Sequence, residues 1–210
     1  MRRGPLLGLL AGSGTPWRGP RSGVGPGRWT AAAAGTALLA GCTSVVAGTA
    51  APAPLTLRGT EVAAYPAGQL HTASHVDYLE TPPVGGQHDP EWADCTGSVY
   101  AVEIRPENAV HSLEHGAVWV TYDPALTSPD DVVILTQLVD GRPGLMLSPY
   151  PDQGAVISLQ AWNHQVQVSS AGDPRVVGFV DLLAFNPDTT PEPGATCENP
   201  GFLVDPRSPA

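Results

Sequence analysis

The chain of 210 residues contains no lysine: its ten cationic side chains are all arginine, set against 20 Asp and Glu. No acid precedes Glu61, and five arginines (Arg2, Arg3, Arg18, Arg21, Arg28) crowd the first 28 positions. From Cys42 onward five Arg face all 20 acids, a formal charge of −15. A surface this acidic repels phosphate backbones and argues against nucleic acid as a partner. Beyond the N-terminal region no run of 18 or more apolar residues occurs, which excludes a polytopic membrane protein. There is no internal repeat, no G-x-S-x-G elbow, no phosphate-binding loop and no dinucleotide fingerprint. The 24 Gly and 23 Pro are spread through turns and a Pro-rich tail.

Cysteine is also scarce, with three in all, and each has its own expectation. Trp29 to Gly41 reads WTAAAAGTALLAG, preceded by Arg28 and ending in Leu39-Ala40-Gly41-Cys42. A charged stretch, a short apolar run and small residues before a cysteine are the pattern of a bacterial lipoprotein signal. Residues 1–41 are then the signal, and the thiol of Cys42 takes the diacylglycerol. Two or three acyl chains anchor stably where one binds only marginally. Residues 42–56 are small, uncharged and Pro-containing, the composition of a tether. Residues 57–210 form one extracytoplasmic domain, held at the outer face of the cytoplasmic membrane through Cys42. Cys95 and Cys197 remain as an even pair in an oxidising compartment, so a disulfide is expected. Closing a loop of 102 positions stabilises by about 4–5 kcal/mol in the chain-entropy model. That bridge staples the Pro-rich tail around Cys197 across the domain.

Patterning predicts an α+β domain with a largely antiparallel sheet and two to three short helices. Val76 and Tyr78 alternate with polar neighbours, suggesting a short strand before a long turn over Glu80 to Pro90. Ser98 to Arg105 reads as a half-buried strand. Glu107 to His115 is about two turns of helix stopped by Gly116. Ala117 to Tyr122 is the strongest strand. Ser128 caps a helix with Pro129 at its first position and acids in its first turn. Leu145 to Ser148, Ala155 to Trp162 and the Val166/Val168 alternation give further strands, and Asp173-Pro174 opens a last helix over Arg175 to Phe185.

A set of motifs then carries a resemblance: His71, Tyr78, Pro82-Pro83, Gly85-Gly86, His88, Trp92 and Cys95; Val110-His111-Ser112-Leu113-Glu114-His115-Gly116 with Trp119; Leu147 to Pro151; Ala161-Trp162; and Pro191-Glu192-Pro193-Gly194 before Cys197. In this order they resemble the bacterial domain of unknown function 3105, over about His71 to Cys197. The resemblance implies a secreted or membrane-anchored protein of actinobacterial type, and it brings no reaction or catalytic residues to carry over. Leu79 stands where Pro often follows the tyrosine, Asn163 where Gly usually follows the tryptophan, and His75 lies outside the pattern.

Five of the six histidines fall within 45 positions, and His111 and His115 flank Glu114 in H-x-x-E-H. On a helix these three share one face, so two imidazoles can grip one ion. The same string occurs in inverted zinc peptidases, where the Glu activates a metal-bound water. The analogy is weak: the helix stops at Gly116, a strand follows at once, and no downstream acid stands out as a third ligand. A bare metal site fits better. The Pro-Gly turn brings His71 and His88 towards His111 and His115, a set suited to zinc or copper(II), with Met146 adding softness for copper(I). The leading expectation is a non-catalytic transition-metal binder using His71, His88, His111 and His115, with Glu114 as an outer partner. Two alternatives stand beside it. One is a structural or interaction protein at the envelope whose histidines are structural and whose tryptophans and acidic face meet a partner, protein or small molecule. The other is a small metal-dependent hydrolase with Glu114 as base. Trp92, Trp119 and Trp162 are candidates to line a cleft, although Trp119, inside a strand, reads as core.

Overall fold

The computed structural model describes residues 54–207 except 58, 66 and 67, together with 19 and 209. The expected signal, apart from residue 19, and Cys42 lie outside the described residues. Among the described residues twelve elements follow one another: β1 (Thr56–Leu57), β2 (Thr60–Glu61), β3 (Ala63–Ala64), β4 (Thr96–Val99), α1 (Pro106–Glu114), β5 (Val118–Tyr122), α2 (Pro129–Val139), β6 (Leu145–Pro149), β7 (Ile157–Ala161), β8 (His164–Val168), α3 (Pro174–Leu183) and α4 (Pro200–Val204). β1 and β2 form a two-stranded ribbon; the other six strands form one sheet in the order β3-β8-β7-β5-β6-β4.

The sheet is mostly antiparallel, as the patterning predicts. Its one parallel patch is β4-β6-β5, because α1 and α2 intervene between those strands and return the chain in the same direction. Residues alternate across the pleat. Val118, Val120, Leu145, Leu147, Ile157 and Leu159 join Leu135, Val139, Val176, Phe179, Val180 and Leu183 of α2 and α3 in one apolar core. Trp119 and Met146 fall in a second core with Val110 and Leu113 of α1, Tyr100, Phe202 and the disulfide.

The helix ends carry the expected chemistry. Ser128 Oγ accepts from Asp131 N–H at the start of α2, and Asp173 accepts from Arg175 N–H at the start of α3. Gly116 follows α1 at φ +97°, a conformation that favours glycine. A Cβ there would also press on Thr190, about 3.0 Å from its Oγ1. Asn163 adopts φ +62° in the tight turn between β7 and β8, a left-handed backbone that asparagine tolerates and glycine favours.

Two expected strands differ. Val76 to Tyr78 is irregular, since Val76 N–H is taken by the Glu107 carboxylate at 2.8 Å and the Tyr78 hydroxyl donates to Gln87 O at 2.6 Å. The strand from Ser98 ends at Val99; after Tyr100 donates to Leu147 O, the chain turns away towards α1. The tail adds one short helix, α4, capped by Asn199. Cys95 and Cys197 are bonded, and Cys95 N–H also donates to Cys197 O at 3.0 Å. No helix among the described residues is long and apolar enough to cross a membrane.

Candidate metal centre

Three pieces of chain converge over the second core. The first two are adjacent backbones: Thr72 N–H donates to His88 O at 2.7 Å, and His88 N–H donates to Leu70 O at 3.0 Å. This short parallel bridge holds the His71 and His88 rings 4.7 Å apart. The third is α1, whose last turn presents His111, Glu114 and His115 on one face, as the i, i+3, i+4 spacing predicts. The His111 ring lies 4.9 Å from that of His71 and 5.0 Å from that of His88.

Each buried imidazole is oriented by a backbone carbonyl. His88 Nδ1 donates to Gly86 O at 2.8 Å, His111 Nδ1 to Asp89 O at 2.6 Å, and His115 Nδ1 to Thr196 O at 2.7 Å. A carbonyl oxygen only accepts, so Nδ1 carries a proton in all three, and in neutral His111 and His115 the lone pair is on Nε2. This is the arrangement by which proteins aim imidazoles at a metal. His164 makes the same kind of bond to Trp162 O but stands apart, so the bond becomes informative only where the free nitrogens converge.

They do converge. Donor atoms of His71, His88, His111 and Glu114 all lie within 4.8 Å of one another. Glu114 Oε2 is 2.9 Å from His88 Nε2 and 3.7 Å from His71 Nε2. Ligands bonded at about 2.0–2.1 Å sit about 3.3 Å apart on a tetrahedron, so small side-chain movements close a coordination sphere. A proton must lie between His88 Nε2 and the Glu114 carboxylate to hold them at 2.9 Å, and an ion in that place would displace it. His88, His111 and Glu114 are buried, while the His71 side chain is 49% exposed and leaves the group open to solvent on one side.

Burial pushes the His111 pKa down to about 4, helped by His115, His88 and His71 and opposed by its bond to Asp89. Burial lowers His115 as well, against its bond to Thr196 and the nearby Glu192 and Glu114. Both rings are therefore neutral at pH 7, the form that ligates. Trp92 packs 5.0 Å from His115 and 5.7 Å from His111, and Trp162 stands 5.7 Å from His88. Asp89, whose carbonyl aims His111, is itself fixed by ion pairs of its carboxylate with Arg105 and Arg207.

The four histidines singled out from sequence do not form one group. His115 belongs to a second set with His111 and Glu192, and Glu114 takes its place among the donors of the first. Glu192 and the orienting carbonyls of Asp89 and Thr196 escaped the sequence reading, which found no downstream acid to serve as a third ligand. The available signal was the bridge at Cys197, which brings an acid five positions earlier onto the domain. His75 turns away to Glu107 and Asp77. Met146 and Trp119 are fully buried in the second core. An apolar cavity of about 400 Å³ lies beside the β7–β8 turn, lined by Leu55, Val62, Trp162 and His164 among others, and none of the convergent donors reaches it.

Fold and site together define a small α+β domain, closed by one disulfide, with a buried histidine–glutamate cluster at the end of its first helix. Residues 70–199 match the family model described as protein of unknown function (DUF3105), and the chain belongs to that family. No curated protein and no solved structure matches it.

Proposed function

We propose that the protein is a cell-envelope lipoprotein, anchored through Cys42, that binds one transition-metal ion through His71, His88, His111 and Glu114. The observation that carries this reading is the convergence of these donors within 4.8 Å while backbone carbonyls hold the far nitrogens of His88 and His111. Three imidazoles and a carboxylate suit zinc or copper(II) better than copper(I), which prefers sulfur. Glu114 is bonded to His88 and stands among the donors, which favours a ligand over a free base and binding over hydrolysis. His71 at the solvent edge gives an ion its way in.

The test is a chelator-competition titration of the folded full chain with Zn(II) and Cu(II). One ion per chain is expected. His111→Ala should abolish binding, and Glu114→Gln should weaken it by about 10–100-fold, since a retained hydrogen bond cannot replace a charged ligand. A folded wild-type chain that takes up neither ion contradicts the reading and favours a protein-binding role with structural histidines. Turnover that Glu114→Gln removes while the ion stays bound would instead make it a hydrolase.

A further inference from the structure

We propose a second cation position, built from His111, His115 and Glu192, that shares His111 with the first group and so holds an ion only in exchange with it. The three residues offer donor atoms within 4.8 Å of one another. The His111 and His115 rings are 4.6 Å apart, and His115 Nε2 is 3.6 Å from Glu192 Oε2, close to the separation of two ligands on one tetrahedral ion.

This set is held in place from several sides. Glu192 is fixed through its own backbone: its N–H donates to Glu114 O at 3.1 Å, occupying a carbonyl that the end of α1 leaves free. The carbonyl of Thr196, four residues on, accepts a hydrogen bond from His115 Nδ1 and turns Nε2 towards Glu192. Cys197 follows directly and is bonded to Cys95, so the tail segment carrying both groups is pinned at its far end. Trp92 packs against the rings of His111 and His115.

Sharing follows from valence. His111 Nδ1 is committed to Asp89 O, so a neutral His111 has one lone pair, on Nε2, and can serve one ion at a time. The two positions also differ in what surrounds them. His88 and Glu114 of the first are almost fully buried, while the Glu192 side chain is 51% exposed and belongs to the tail. The second position is the more accessible and, with three protein donors, the weaker of the two; a metal held there can be passed across His111 or surrendered to an acceptor. The exchange rests on the reading of the first group as a metal site, whereas the second position does not.

The full chain carrying His71→Ala and Glu114→Gln loses two donors of the first group and none of the second. His71 is half-exposed and Gln is isosteric with Glu, so the fold, checked by far-UV circular dichroism, should survive. Competition with a chromogenic chelator should show one Zn(II) per chain, bound at least about tenfold more weakly than by wild type, and adding Glu192→Gln should weaken it at least about tenfold again. Wild type should hold one tight Zn(II) even with two equivalents present. If the double variant fails to fold, the more conservative His71→Asn with Glu114→Gln replaces it, still removing two donors of the first group, and the same Glu192→Gln step is read there. A folded double variant that binds no Zn(II), or whose binding ignores Glu192→Gln, overturns the second position while wild-type binding still supports the first. Two tight ions on wild type overturn the sharing of His111. No binding by wild type or variant overturns both positions.

Discussion

The two faces of the six-stranded sheet share one pleat and each carries an apolar core, but only one of them also buries a row of polar side chains. On one side Val118, Val120, Leu145, Leu147, Ile157 and Leu159 pack in one apolar cluster with side chains from α2 and α3. On the other, Trp119 and Met146 share the surface with Thr121, Ser148, Ser158 and Gln160, all fully buried. Here each polar atom needs its own partner: Trp119 Nε1 donates to Ser148 Oγ at 3.0 Å, Gln160 to Ser158 Oγ at 2.6 Å, and Gln165 to Pro82 O at 2.9 Å. The first face gains stability from a non-directional force and tolerates changes of shape poorly but of detail well. The second adds directional bonds, one of which ties the loop at Pro82 to β8, beside the apolar core that carries α1 and the disulfide. One face is thus an apolar core, while the other combines a second apolar core with directional polar contacts beside the site.

Removing a large side chain from the apolar face tests that difference most strongly. Phe179→Ala should cost about 3–5 kcal/mol in urea unfolding, by lost burial and the cavity left behind, with metal affinity of the folded fraction unchanged. Replacing both cysteines by serine acts on the other face. It should cost about 2–5 kcal/mol, and the wild-type chain should take up no alkylating agent at Cys95 or Cys197 without reductant.

A pH series in excess chelator sharpens the contrast further. His111 titrates at about 4 in the folded protein, below its ordinary value of 6.5, so the unfolded chain takes up its proton first as pH falls. Its contribution is complete above pH 6.5 and is lost progressively down to about pH 4, by up to about 3 kcal/mol. The stability of wild type should therefore slope downward through this window, and His111→Ala should flatten the slope. The smallest effect concerns the link between α1 and the tail: Gly116→Ala should cost about 1–2 kcal/mol, because alanine resists the left-handed backbone and its methyl meets Thr190.

The apolar face was the legible one. Alternation in Ala117 to Tyr122, Ser128 with Pro129, and Asp173 with Pro174 are local signals, and the elements they predict lie within a residue or two of their expected ends. Val76 to Tyr78 misled because its backbone is satisfied by Glu107, 31 positions away, and no local pattern carries that. The site was legible in its helix and in the turn that joins His71 to His88. The regrouping of donors was not, because it depends on Glu192 and Thr196, brought to α1 by a disulfide across 102 positions. Separation along the chain decides what a sequence displays, and this site is assembled from three distant segments.

The most direct test of the account is the metal content of the full chain, purified without chelator or affinity tag and measured by elemental analysis beside His111→Ala. The account predicts near-stoichiometric zinc or copper in the wild type and none in the variant, with both folded. Folded wild-type protein that holds no metal and acquires none from added Zn(II) or Cu(II) would contradict it.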